Sequence, residues 1–123
     1  MKELAEVETA TLNGIVIAHI RGEIDLSNAD STFSTLKRLA DGAEVGLVLD
    51  LSELDYLDSA GVRLLFTLTR AATRKGRPLR AVVPREARIR RVLELADVGQ
   101  LLGLDETTDG AVERLANGSD VPV

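Results

Sequence analysis

The stretch Leu47-Val48-Leu49-Asp50-Leu51-Ser52-Glu53-Leu54-Asp55-Tyr56-Leu57-Asp58-Ser59-Ala60-Gly61-Val62-Arg63-Leu64-Leu65 decides how the whole chain is read. Its opening is apolar without alternation, the pattern of a strand covered on both faces. An acidic connection follows that is too polar to bury as a unit. Asp58-Ser59 then stands where an apolar helical pattern begins, so a hydroxyl is presented at a helix N-terminus.

Working outward, the central strand spans residues 45–51 and lies mid-sheet. The helix after the junction covers residues 62–74, where Arg63, Thr67, Arg70 and Arg74 form one narrow polar stripe opposite Leu64, Leu65, Leu68, Ala71 and Ala72. Gly76 ends it, and a strand at residues 79–83 is closed by Pro84 before a helix carrying Ile89, Val92, Leu93 and Ala96. Upstream, residues 7–12 and 15–20 are β-rich and flank Asn13-Gly14, a pair that accepts positive φ at both positions of a type I′ turn and so predicts a hairpin. Gly22-Glu23-Ile24-Asp25-Leu26 leaves the second strand. Ser27, with Asp30 three residues on, resembles a capping box opening a helix whose buried stripe is Ala29, Phe33, Leu36 and Ala40. Downstream, Leu101-Leu102-Gly103-Leu104 is irregular or a short strand, residues 108–116 form a last helix, and residues 117–123 read as a flexible tail. The order β, β, α, β, α, β, α, short segment, α predicts a mixed sheet with crossover helices.

Composition narrows the chemistry. A chain of 123 residues supports a single domain, here placed at residues 1–116. With two Phe, one Tyr and no Trp, the core is aliphatic and offers no aromatic cage for a large flat ligand. The absence of Cys removes disulfides and thiolate sites and agrees with a cytoplasmic protein. No apolar run approaches the roughly 20 residues that span a bilayer. A net charge of −5 argues against direct nucleic-acid binding. The basic segment holding Arg77, Arg80, Arg85, Arg88, Arg90 and Arg91 reads as a solvated helix face or as a docking surface for an acidic partner. The sole His, His19, has no second His or Cys to share a metal and reads as structural; no metal or cofactor is expected.

At the junction three readings compete. Asp58 or Ser59 caps the helix, contributing about 1 kcal/mol. Ser59 as a hydrolase nucleophile lacks both a plausible base and a Gly-x-Ser-x-Gly frame, and no catalytic set is expected elsewhere. In the third reading Ser59 accepts a phosphoryl group, whose charge of about −1.5 to −2 the helix N-terminus favours and nearby carboxylates at Asp58, Asp55 and Asp25 oppose. Leu57, Ala60, Gly61 and Val62 then offer a small apolar surface on which a partner closes, and the added charge breaks that contact.

The residues just quoted, with Arg21-Gly22-Glu23-Ile24-Asp25 after the second strand, Val48-Leu49-Asp50-Leu51 before the junction, Leu57-Asp58-Ser59-Ala60-Gly61-Val62 at the helix start and Arg91-Val92-Leu93-Glu94-Leu95 in the third helix, resemble the anti-sigma factor antagonists of the STAS family over most of the chain. The resemblance implies an α/β fold with a STAS-like mixed sheet of four to five strands and about four helices. It implies a non-enzymatic regulator. Unphosphorylated, such a protein binds an anti-sigma factor with serine kinase activity and releases a sigma factor; phosphorylated on Ser59, it lets go, and a metal-dependent phosphatase resets it. Asp25 and Asp58 correspond to the acidic residues beside the phosphorylated serine, with Asp25 hydrogen-bonding or orienting its hydroxyl; the plainer readings are a turn carboxylate for Asp25 and a helix cap for Asp58. The partner surface comprises Asp25, Ser27, Asn28, Leu57, Asp58, Ser59, Ala60, Gly61, Val62 and Arg63. The free protein is expected to be a monomer that engages neither membrane nor nucleic acid. The alternative is a constitutive STAS interaction module of a transport or stress-signalling complex, with Ser59 a plain cap. Ala60 and Val62-Arg63 replace the second hydroxyl and Leu-Gly pair common among relatives, and Ala96-Asp97-Val98-Gly99 replaces a usual Gly-Leu-Asp ending.

Overall fold

Asn13 and Gly14 take φ of 51° and 82°, and this two-residue turn joins strands β1 (Ala5–Leu12) and β2 (Ile15–Ile24) in the predicted hairpin. The computed structural model describes residues 5–118, so most of the predicted 117–123 tail lies outside the described residues. After the hairpin come α1 (Ala29–Gly42), β3 (Gly46–Asp50), β4 (Leu54–Leu57), α2 (Ser59–Arg74), β5 (Leu79–Val82), α3 (Arg90–Leu95), a 3₁₀ turn, β6 (Gly103–Asp105) and α4 (Thr108–Ala116).

The sheet has six strands among the described residues, in the order β1-β2-β3-β5-β6, with β4 also on β2. Only β1–β2 is antiparallel. β3 lies between β2 and β5 as its uninterrupted apolar run requires, because successive side chains point to opposite faces and both are covered. Leu47 and Leu49 join the larger core with Leu36 of α1 and with Leu65 and Leu68 of α2, whereas Val48 joins Ile15, Val82, Ala111 and Leu115 beneath α4. The Arg63, Thr67, Arg70 and Arg74 stripe faces solvent as predicted, opposite the buried Leu64, Leu65, Leu68 and Ala72.

Four expectations are corrected. The acidic connection contains β4, raising the strand number to six rather than four or five. β4 shows no alternation because Leu54 and Leu57 are buried while Asp55 and Tyr56 are exposed. It adds to β2 beyond the end of β3: Ile15 to His19 of β2 pair with β3, and Gly22 to Ile24 pair with β4 across a register shift between Gly22 and Glu23, where Gly22 has φ 100°. Accordingly β2 runs to Ile24 and does not end at Ile20. The α1 capping box does not form: Asn28 is the N-cap residue and makes no side-chain cap bond, while the Ser27 hydroxyl donates to Asp25 Oδ1 at 2.5 Å. Finally, the basic segment is not one free face. Arg77 donates to the Asp41 carbonyl at 2.6 Å, Arg80 to Asp105 at 2.5 Å and Arg90 to the Val83 carbonyl at 2.6 Å. Exposed Arg85 pairs with Glu106 at 2.8 Å.

His19 fills a structural position. A carboxylate only accepts, so His19 Nδ1–H donates to Asp50 Oδ2 at 2.8 Å, and Nε2 lies 3.5 Å from Glu53. Burial pushes the Asp50 carboxyl up, but hydrogen bonds from the Ser52 hydroxyl and amide and from His19 outweigh it and hold Asp50 below its ordinary value. This ties the end of β3 to the loop that leads into β4.

Candidate functional site at the start of α2

β4 delivers Asp58 beside the end of β2, where the Asp58 amide donates to the Ile24 carbonyl at 3.3 Å. Asp58 takes an extended conformation (φ −98°, ψ −171°), as an N-cap residue does, and its Oδ1 accepts from the amides of Ala60 at 2.9 Å and Gly61 at 3.1 Å. The second oxygen, Oδ2, accepts from the Leu26 amide at 3.2 Å. One carboxylate therefore caps α2 and clips the β2–α1 loop to it.

That loop is itself tied. Asp25 Oδ1 accepts from the Ser27 amide at 2.8 Å and from its hydroxyl, the Asp25 amide donates to Asn28 Oδ1 at 2.9 Å, and Asn28 Nδ2 donates to the Glu23 carbonyl at 2.8 Å. The turn holds Leu26 out in solvent at 83% exposure. Tyr56, half exposed on β4, shares an open depression with Leu26, Asp25, Ser27 and Asp58.

Ser59 is the first residue of α2, exposed, and its hydroxyl makes no hydrogen bond to another described residue. It sits at the meeting of two open grooves. One of about 410 Å³ runs between α1 and α2 past Leu26, Asp30, Phe33, Arg63 and Thr67; the other, about 290 Å³, runs along α2 past Val62, Arg63, Phe66 and Arg70. Arg70 lies over the Phe66 ring at 5.9 Å from its centroid.

Asp25, Ser27, Asn28, Asp58, Ser59, Ala60, Val62 and Arg63 are thus gathered at one end of the molecule, all exposed or half-buried. Leu57 and Gly61 are not on its surface: Leu57 is 3% exposed, and a Cβ on Gly61 would meet Leu57 Cγ at 3.0 Å and Ile24 Cγ2 at 3.2 Å. Their part is to let α2 pack tightly on β2 and β4; Ala60 and Val62 keep the expected place beside the grooves, and Leu26 and Tyr56 add exposed apolar surface. Asp25 Oδ1 accepts from the Ser27 amide and hydroxyl, as a turn carboxylate does, and no hydrogen bond joins Asp25 to Ser59. Sequence reasoning missed Leu26, Tyr56, Phe33 and Asp30; the one available signal was Leu26, an apolar residue amid turn-forming Asp, Ser and Asn. Among the described residues no three His, Asp or Glu side chains converge as a metal would require, and no helix is long and apolar enough to cross a membrane.

Comparison with known proteins gives this geometry a context. The model of the STAS domain family matches residues 6–111. The anti-sigma-F factor antagonist RsfB of Mycobacterium tuberculosis is 33% identical over 104 residues, covering 82% of this chain and 76% of that protein. BtrV of Bordetella bronchiseptica is 34% identical over 59 residues, so that the chain spans about half the length of that relative (51%). Among solved structures, the anti-sigma factor antagonist SpoIIAA of Bacillus superposes in its unphosphorylated form with a TM-score of 0.73 at 18% identity, covering 91% of this chain and 97% of SpoIIAA, and in its phosphorylated form with 0.65 at 19% identity, covering 89% and 99%.

Proposed function

The chain belongs to the STAS domain family, with anti-sigma factor antagonists among its relatives, and we propose that it is itself an antagonist switched by phosphorylation of Ser59. Unmodified, the surface formed by Ser59, Leu26, Tyr56, Asp25, Ser27 and Arg63 binds an anti-sigma factor and frees a sigma factor. The anti-sigma factor carries the serine kinase activity and the nucleoside triphosphate. Transfer forms the Ser59 Oγ–P bond, breaks the bond from the γ-phosphorus to its bridging oxygen, and passes the hydroxyl proton to the partner or solvent. A metal-dependent phosphatase reverses it.

The observation that carries this reading is the state of the Ser59 hydroxyl: exposed, without a hydrogen bond, at the junction of two grooves, on a helix whose cap Asp58 already supplies. A serine kept only as a cap would have its oxygen on a backbone amide. Leu26 and Tyr56 provide apolar surface that closes against a partner, and a phosphate desolvated there with carboxylates nearby costs roughly 2–5 kcal/mol of binding, about 30-fold to several thousand-fold. SpoIIAA, which shares this fold, has been solved in both an unphosphorylated and a phosphorylated form.

The test is intact mass after incubation with the kinase partner and ATP. Wild type gains one phosphate and Ser59→Ala none; equal gain by both ends the proposal. In a pull-down, Ser59→Ala retains the partner and Ser59→Asp loses it by at least about 30-fold. Equal retention instead favours a constitutive interaction module, with Ser59 an ordinary first-turn residue.

A further inference from the structure

We propose that Arg63 is the internal counter-ion of the modified site: once Ser59 carries a phosphate, the Arg63 guanidinium swings one helical turn back along α2 and pairs with it. The inference rests on the reading of Ser59 as a phosphate acceptor and goes beyond it by naming what this chain does with the charge.

It starts from where the backbone amides go. A helix N-terminus ordinarily receives an anion through the free N–H groups of its first turn. Here the amides of Ala60 and Gly61 are already bonded to Asp58 Oδ1. A phosphate on Ser59 must displace Asp58, whose other oxygen holds Leu26, or find its charge elsewhere. The carboxylates nearby make matters worse, since Asp58 adjoins Ser59 in sequence and Asp30 lines the same groove.

Arg63 meets that need. It follows Ser59 by four residues on the same helix, a spacing that brings Cβ atoms within about 5–6 Å, with the negative group N-terminal to the positive one, the better of the two orientations. It lines both grooves that Ser59 lines. It is exposed and makes no hydrogen bond or ion pair to another described residue. Arg70, the other cation in these grooves, lies three turns from Ser59 and over Phe66. Because α2 begins at Ser59 rather than at residue 62, Arg63 falls beyond the first turn, where repulsion by the helix dipole has faded. A guanidinium also grips two phosphate oxygens at once. Modification therefore changes the docking surface twice, adding an anion and withdrawing the cation that the unmodified protein offers its partner.

The test installs phosphoserine at position 59 during synthesis, so no kinase is involved, and follows its ³¹P resonance against pH. The phosphate reaches its dianionic form at a pH lower by about 0.3–0.7 unit in the Arg63 protein than in Arg63→Gln, the size an exposed charge-assisted pair sustains. High salt shrinks the difference, and Arg70→Gln titrates as wild type. Arg63→Gln removes only an exposed side chain, and unchanged circular dichroism confirms its fold. Identical titration with and without Arg63, or an equal shift from Arg70→Gln, overturns the proposal. A partner that fails to phosphorylate Ser59 would refute the switch and leave this titration untouched, so the two failures are distinct.

Discussion

Two helix starts in this molecule use the same local device in different company. At α2, Asp58 accepts from the amides of Ala60 and Gly61; at α4, the Thr107 hydroxyl accepts from the Gly110 amide at 3.0 Å. Beyond the caps they diverge. The α4 start follows the closed cluster of Asp105, which is buried, bonded to Arg80 at 2.5 Å and also paired with Arg114. The α2 start opens onto two grooves, an unbonded hydroxyl and the exposed Leu26 and Tyr56. A cap is thus no mark of function by itself. What separates the proposed binding end from the structural one is whether the polar groups around the cap satisfy one another or remain turned outward.

The largest expected effect lies at the closed end. Arg80→Met leaves Asp105 with Arg114 alone, whose side chain is half exposed, and breaking a buried pair in this way costs about 3–5 kcal/mol in urea unfolding, with partner affinity unchanged. A loss under about 1 kcal/mol would mean Arg114 suffices, and the contrast between closed and open ends would collapse.

Removing the caps sharpens it. Thr107→Ala should cost about 1 kcal/mol, the ordinary value of a cap, and Asp58→Ala up to about 2 because the carboxylate also holds the Leu26 amide. Hydrogen exchange tells the two roles apart: the Leu26 amide exchanges faster in Asp58→Ala and is unaffected by Thr107→Ala. If Leu26 is equally protected in both, the clip to the β2–α1 loop contributes nothing.

The smallest effect concerns acid. Because the native Asp50 carboxyl sits below its ordinary value, its stabilisation is fully present above about pH 4 and lost as pH falls through the native value. Asp50→Asn should therefore unfold at nearly the same midpoint as wild type in acid but at a lower denaturant concentration near neutrality. A difference that does not narrow on acidification would place the contribution of Asp50 outside its ionised hydrogen bonds to Ser52 and His19.

Much of the framework was legible in the chain. Asn13-Gly14 specified a hairpin because few residues accept positive φ in succession, the unbroken run through Leu49 specified a central strand because both faces are covered, and the Arg63–Arg74 stripe specified which side of α2 meets water. A cap at Asp58 or Ser59 followed from residue types at a polar-to-apolar boundary, although the apolar pattern placed the helix from residue 62 and it begins at Ser59. These are local properties, set by steric and hydrogen-bonding preferences within a few residues.

Tertiary structure alone decided the rest. β4 exists because β2 outruns β3 and leaves an edge that Leu54–Leu57 completes, a pairing across more than 30 residues that leaves no periodicity in so short a strand. That pairing brings Asp58 to Leu26, buries Leu57 and Gly61, and turns Leu26 and Tyr56 outward. Sequence thus determined that a polar cap and a hydroxyl stand at the junction leading into α2. Their surroundings, and with them what that hydroxyl can do, were set by long-range register, which residue type does not encode.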